Sequence, residues 1–255
     1  MNVKLAPEQI LDNWNRFLSV IDQHISSPRK EVLVDFYKQY EERFCLMPAS
    51  NKREYHNAFE GGYIDHVLRV IDGSLALHDV WTKFNTKPTY TVEELVFSAM
   101  NHDLGKFGDF DNAAYIDSTD EWRRNKLGEM YVFNPKLSYM SVPDRSIWIL
   151  NMLGLQLTQN ETLSIKLHDG LYEPANEPYL KSWMPETKPR TSLVFIIHQA
   201  DLMAARVEWE SEWLDSFYQA PKKQTKQTYK QPAQEKAIRQ IGSKNNAFAD
   251  MLKNL

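Results

Sequence analysis

Leu95-Val96-Phe97-Ser98-Ala99-Met100 places apolar residues on almost every face of a helix, and it runs straight into Asn101-His102-Asp103-Leu104-Gly105-Lys106. A helix that is apolar nearly all round has to be buried, so the rest of the chain must supply helices to surround it. Thr91 and Glu94, just before it, have the separation of a capping box. Gly105, just beyond it, can take the positive φ that ends a helix. The buried helix therefore delivers an imidazole, a carboxylate and an ammonium to its own C-terminal end. Adjacent His and Asp side chains can bind one divalent cation, through nitrogen and oxygen, only if other segments complete the shell.

Those segments exist. His66 lies in Glu60-Gly61-Gly62-Tyr63-Ile64-Asp65-His66, and Asp201 lies in His198-Gln199-Ala200-Asp201 ahead of Leu202-Met203-Ala204-Ala205. The order is then H, HD, D. Pro48-Ala49-Ser50, Tyr55-His56-Asn57-Ala58-Phe59-Glu60 and Leu167-His168-Asp169-Gly170 fall in sequence around it. Together these motifs resemble the HD-domain superfamily of metal-dependent phosphohydrolases across roughly residues 48–210. The pattern is most similar to the HD domain that certain 3′→5′ exoribonucleases carry behind an OB-fold. Two features depart from it: Asp169 stands where that pattern has a second His, and no OB-fold precedes the motif core here.

The resemblance implies an all-α, HD-type helical bundle with N-terminal helices and a C-terminal tail. It implies a divalent metal (Mn, Mg, Co, Fe, Ni or Zn) held by His66, His102, Asp103 and Asp201. A second ion, held with the help of His168 and His198, would lie about 3.5–4 Å from the first. With one ion only, those two imidazoles would position phosphate or protonate a leaving alkoxide. Asp103, Lys106, His168 and His198 are the catalytic candidates, and His56, Lys106, Arg124 and Lys126 the substrate-binding ones. Lys106 is either a phosphate contact or a solvated lysine. The implied activity is hydrolysis of a phosphate ester in a nucleotide or at a nucleic-acid terminus. A 3′→5′ exonuclease and a non-catalytic, nucleotide-binding regulatory module are the alternatives.

Composition bounds these readings. At 255 residues and 42% hydrophobic, the chain can bury a sizeable core. We expect one domain over 1–218 and an appendage over 219–255. A net charge of −4 provides no global basic field, which disfavours extended duplex binding and leaves a nucleotide or a short single strand as the partner. The single Cys45 cannot form an internal disulfide, and no basic segment is followed by an apolar stretch at the N-terminus, so a cytoplasmic location is expected. No run of about 18 apolar residues argues for a membrane span. Neither a P-loop nor a strand followed by GxGxxG occurs.

Elsewhere the periodicity predicts a helix over 7–25 with Ile10, Leu11, Trp14, Phe17, Leu18 and Ile21 inward, and His24 as a last-turn cation. Ser26-Ser27-Pro28 should cap a second helix carrying Val32, Leu33, Phe36, Tyr37 and Tyr40 and ending near Phe44. His66 opens a helix on which His78 reads as structural. Residues 107–140 are rich in aromatics and charges without a clean period, which predicts a lid or substrate loop with a short helix near Glu121–Lys126. Its aromatics either pack the segment down or stack on bases. Ser141 and Thr158 each start a helix, the first stopped by Gly154 and the second leading to His168-Asp169. Leu193-Val194-Phe195-Ile196-Ile197 is β-branched, but its continuation through Asp201 predicts a buried helix. Beyond Tyr218 a Lys/Gln-rich stretch reads as a flexible basic linker. Phe248, Met251, Leu252 and Leu255 then form a stripe that docks either on the chain itself or on a second copy. That alternative leaves a homo-oligomer open.

Overall fold

The computed structural model describes residues 5–210, and the linker and terminal stripe expected at 219–255 lie outside them. Among the described residues there are ten α-helices and one two-stranded sheet, so the fold is all-α as the patterning requires. No helix among them is long and apolar enough to cross a membrane.

Helix α1 (Pro7–His24) starts with proline in its first turn and buries Trp14, Phe17, Val20 and Ile21. Leu11 is 56% exposed, because the core reaches α1 only from Trp14 onward. The second predicted helix is two, α2 (Arg29–Gln39) and α3 (Glu41–Leu46), broken at Tyr40. The break turns Phe36 and Phe44 onto Phe107, with ring centroids 5.3 and 5.0 Å apart. Neither Ser26 nor Ser27 caps α2; Pro28 occupies the cap position without a side-chain cap bond.

Helix α4 (Gly62–Lys83) is entered through Gly61 at φ +82°. Gly62 is required by a close approach, since a β-carbon there would lie 2.2 Å from the Asn57 carbonyl oxygen. Toward the C-terminal end of α4, His78 Nδ1 sits 3.0 Å from the Tyr90 hydroxyl. Helix α5 (Val92–Asn101) has the predicted capping box: Thr91 Oγ1 accepts the Glu94 N–H at 3.1 Å and Glu94 Oε2 accepts the Thr91 N–H at 2.8 Å. Every residue from Leu95 to Asn101 is buried. Tyr37 reaches this helix through its hydroxyl, which donates to Asn101 Oδ1 at 2.9 Å.

Gly105 does not terminate α5 by a positive φ. The chain passes into a 3₁₀ turn, Leu104–Phe107, and it is Gly108 that takes φ +96°. Gly105 is needed for a different reason: a β-carbon there would meet the Val142 carbonyl oxygen at 2.1 Å. The segment at 107–140 contains more structure than its irregular pattern suggests. Strand β1 (Tyr115–Asp117) pairs antiparallel with β2 (Tyr131–Phe133), Tyr115 opposite Phe133, and α6 (Glu121–Leu127) lies between them.

Helix α7 (Val142–Met152) is capped by Ser141 and followed by Gly154 at φ +74°. Ser146 on α7 holds the turn after α5: its hydroxyl accepts the Gly105 N–H at 2.7 Å and lies 3.0 Å from the His102 carbonyl. Helix α8 (Gln159–Lys166) carries the second capping box, Thr158 with Glu161. The connector beyond holds three 3₁₀ turns and a short α9 (Glu177–Leu180). Helix α10 (Leu193–Trp209) confirms the helical reading of its β-branched start and lies along α4. Helix α5 in turn packs on α4 and α8, so α4, α5, α8 and α10 enclose the end of the buried helix.

Candidate metal centre

His66 comes from α4, His102 and Asp103 from the end of α5, and Asp201 from α10. His66 Nε2 lies 3.2 Å from Asp201 Oδ1 and 3.6 Å from Asp103 Oδ2. His102 Nε2 lies 3.4 Å from Asp103 Oδ2 and 3.7 Å from Asp201 Oδ1. Ligands bonded to one ion at about 2.0–2.2 Å stand roughly 2.8–3.6 Å from one another at octahedral or tetrahedral angles, so this spacing is close to that around a common cation. The Nε2 atoms of His66 and His102 are buried and accept or donate no hydrogen bond, although carboxylates stand beside them. An imidazole nitrogen left without a partner in the interior is costly, and a cation on its lone pair removes that cost.

The rings are held from behind. His102 Nδ1 bonds the Ala99 carbonyl at 2.7 Å and His168 Nδ1 bonds the Ile165 carbonyl at 2.8 Å, each three residues back in its own helix end. His66 Nδ1 instead faces the carboxylate of Glu208, 3.2 Å from Oε1.

The cluster extends beyond four residues. Ligand atoms close enough to share an ion occur in four sets: His66, His102 and Asp201; His102, Asp103 and His168; His56, His66 and Asp103; His168, Asp169 and Asp201. Four of the seven histidines in the chain are thus gathered here. Asp103 faces both sides, with Oδ2 toward His66 and His102 and Oδ1 at 3.5 Å from His168 Nε2. Asp169 Oδ1 is 3.6 Å from the same His168 nitrogen. The residue that departs from the exoribonuclease-like pattern is therefore itself among those that could hold an ion.

Charge in the cluster is tightly interlocked. Lys106 Nζ pairs with Asp103 Oδ2 at 2.5 Å. Burial alone would raise the Asp103 carboxyl, but Lys106 and His102 hold it well below the usual range. Burial would lower His66, and the carboxylates of Glu208 and Asp201 outweigh it, pushing the imidazole up to about 10. His168 is likewise lifted against burial to about 9, by Asp169, Asp103 and Asp201. His56 goes the other way, down to about 2, because burial and the neighbouring His66 and Lys106 charges all disfavour its protonation. Its ring lies 4.6 Å from that of His66, and its Nε2 is buried without a hydrogen bond. A divalent cation would supply the positive charge that His66 and His168 hold as protons, and its binding would release them.

The other sequence-predicted residues are placed differently. His198 belongs to none of the four sets among the described residues. Its Nδ1 bonds the His168 carbonyl at 2.7 Å, and its ring fills the space over Gly170, which takes φ +57°. It supports the His168 turn. Arg124 donates to the Ser118 carbonyl at 3.1 Å and Lys126 is exposed on α6; neither has a contact with the cluster among the described residues. Tyr115 of β1 is close enough to feel the charges of Lys106 and Asp103, so the β1–α6–β2 segment borders the site there. Sequence reasoning missed Glu208 and Asp169 as members of the site. Glu208 stands seven residues after Asp201, two turns along the same helix face, and that spacing was its only signal.

Fold and cluster define an all-helical protein with a buried His/Asp site able to hold a metal ion. No family model, no curated protein and no solved structure matches the chain.

Proposed function

We propose that the chain is a metal-dependent phosphohydrolase acting on a phosphate ester of a nucleotide or of a nucleic-acid terminus. The observation that carries this reading is the set of His66, His102, Asp103 and Asp201, the first three buried and Asp201 partly so, whose imidazole nitrogens and carboxylate oxygens pair at 3.2–3.7 Å with Lys106 beside them. The H, HD, D order and its resemblance to HD-domain phosphohydrolases support it from the sequence side. Mixed imidazole and carboxylate donors suit borderline ions such as Mn, Fe, Co, Ni or Zn better than Mg. Bound there, such an ion lowers the pKa of a coordinated water and offsets charge gathering on phosphoryl oxygens.

The side chains divide the remaining work. Lys106 is cationic, its ammonium favoured by Asp103 despite burial, and is placed to take a phosphate oxygen at the edge of the ligand set. His56 is held neutral, so its unbonded Nε2 is free to share a hydrogen bond with substrate without taking up a proton. His168 has two roles according to metal count. With one ion its proton would be available to a leaving alkoxide; with two, His168, Asp169 and Asp103 are among the residues that would hold the second. Arg124 and Lys126 would meet substrate only through the β1–α6–β2 segment.

The test is a screen of purified protein against nucleotides and short oligonucleotides with Mn²⁺, Mg²⁺ or Co²⁺, each with an EDTA control. Metal-dependent release of phosphate or a nucleotide supports the proposal. Stepwise shortening from a 3′ end selects the exonuclease. Metal-dependent nucleotide binding without product selects a regulatory module and overturns the hydrolase reading.

A further inference from the structure

We infer that Glu208 is a positioning residue for His66, fixing which nitrogen of that imidazole faces the cation; this rests on the metal-site reading above. Glu208 is fully buried near the end of α10. Both of its oxygens approach His66 Nδ1, at 3.2 and 3.3 Å. Arg69, one turn beyond His66 on α4, places Nε 3.6 Å from Glu208 Oε1 and holds the carboxylate from the other side. Glu208 and Asp201 share a face of α10, so this helix meets one imidazole at both nitrogens: Asp201 Oδ1 at Nε2 and Glu208 Oε1 at Nδ1, each at 3.2 Å.

The arrangement has a reason in where His66 sits. His102 and His168 lie at helix ends, where carbonyls three residues back are open to their Nδ1 atoms. His66 lies inside α4, where neighbouring carbonyls are engaged by the helix, so its Nδ1–H needs an acceptor from another element. Glu208 supplies it. With Nδ1–H donated to the carboxylate, the proton a cation displaces is the one on Nε2, which points into the ligand set and has no hydrogen bond of its own. A carboxylate behind a ligating imidazole fixes ring orientation and makes the nitrogen a better donor, and losing such a partner costs about 10–100-fold in metal affinity.

The experiment titrates Co²⁺ into the full chain by calorimetry, follows the visible ligand-field spectrum, and compares wild type with Glu208→Gln and Glu208→Ala. Melting of the metal-free proteins is measured in parallel. Glu208→Gln keeps volume and an acceptor oxygen, so it answers the question even if Glu208→Ala does not fold. The expected result is Co²⁺ affinity lower by roughly 10-fold in Glu208→Gln and up to about 100-fold in Glu208→Ala, with an altered spectrum. Wild-type affinity and spectrum in a folded Glu208→Gln, whatever its melting temperature, would overturn the inference and leave the metal site standing. A wild type that binds no Co²⁺ would overturn both.

Discussion

Asp103→Ala separates the electrostatics of the site from its chemistry. Removing a carboxylate at a helix end empties no apolar space, so by packing alone the substitution is harmless to the fold. The structure places Lys106 Nζ 2.5 Å from the Asp103 carboxylate, with the two side chains only 12% and 4% exposed. Without Asp103 the His168 imidazole can shed its proton, since Asp103 is one of the carboxylates that keep it charged against burial. Lys106 loses the carboxylate that favours its ammonium against burial, and must either stay charged in the interior or give up its proton, each at a cost. Breaking a buried pair by deleting one partner costs about 3–5 kcal/mol. For a domain of this size that is roughly 2–4 °C per kcal/mol in Tm. The double variant Asp103→Ala/Lys106→Met removes the stranded charge and replaces it with an apolar chain of similar length, and should regain most of the loss. Neither variant should bind metal as wild type does. Thermal and urea unfolding of EDTA-treated protein measures the cycle, and Co²⁺ titration measures binding. A single-variant cost below about 1 kcal/mol, or a double variant no more stable than the single, would refute the argument that Lys106 depends on Asp103.

Three further outcomes follow from the same geometry. A cation held by the native site alone should stabilise the protein by about 2.7 kcal/mol at a free concentration 100 times its Kd, reversed by EDTA; melting that ignores Mn²⁺, Co²⁺ and Zn²⁺ alike would argue against the site. Gly170→Ala should cost about 1–3 kcal/mol in urea unfolding, since the residue takes φ +57° and a β-carbon would lie 2.1 Å from His198 Cε1; an unchanged midpoint would mean the His198 ring does not pack there. Cys45 has its thiol pushed up to about 11 by burial and Glu41, so the reactive thiolate is scarce near neutrality and alkylation by iodoacetamide should quicken about tenfold per pH unit from 7 to 10. A rate that levels off near pH 8.5 would contradict it.

Local chemistry made much of the scaffold readable from sequence. The boxes at Thr91/Glu94 and Thr158/Glu161 form as their spacing dictates, because both partners lie within one helical turn. The burial of α5 followed from its apolar surface, and helix α10 from a pattern too long for a strand. The break at Tyr40 was not readable, since Val32 to Phe44 carries a helical stripe on both sides of it. Nor were β1 and β2, whose three-residue strands are too short to show a period and exist only through each other. Gly105 was recognisable as a special position, but the need for it comes from Val142, 37 residues away in sequence, and not from its own φ.

The candidate site divides along the same physical line. Residue type and the H, HD, D order marked His66, His102, Asp103 and Asp201 as groups able to ligate a metal, because both are properties of the chain itself. Tertiary structure decided which groups share the space and what state each is in. His168 and Asp169 enter the cluster, while His198 turns its Nδ1 to a backbone carbonyl. Lys106 is committed to Asp103, His56 is kept neutral chiefly by burial, and His66 is kept charged by two carboxylates of α10. Glu208 reaches His66 across 142 positions. Periodicity places a side chain on a face of its own helix; which atom it meets, and with what charge, depends on how α4, α5, α8 and α10 pack around the end of the buried helix.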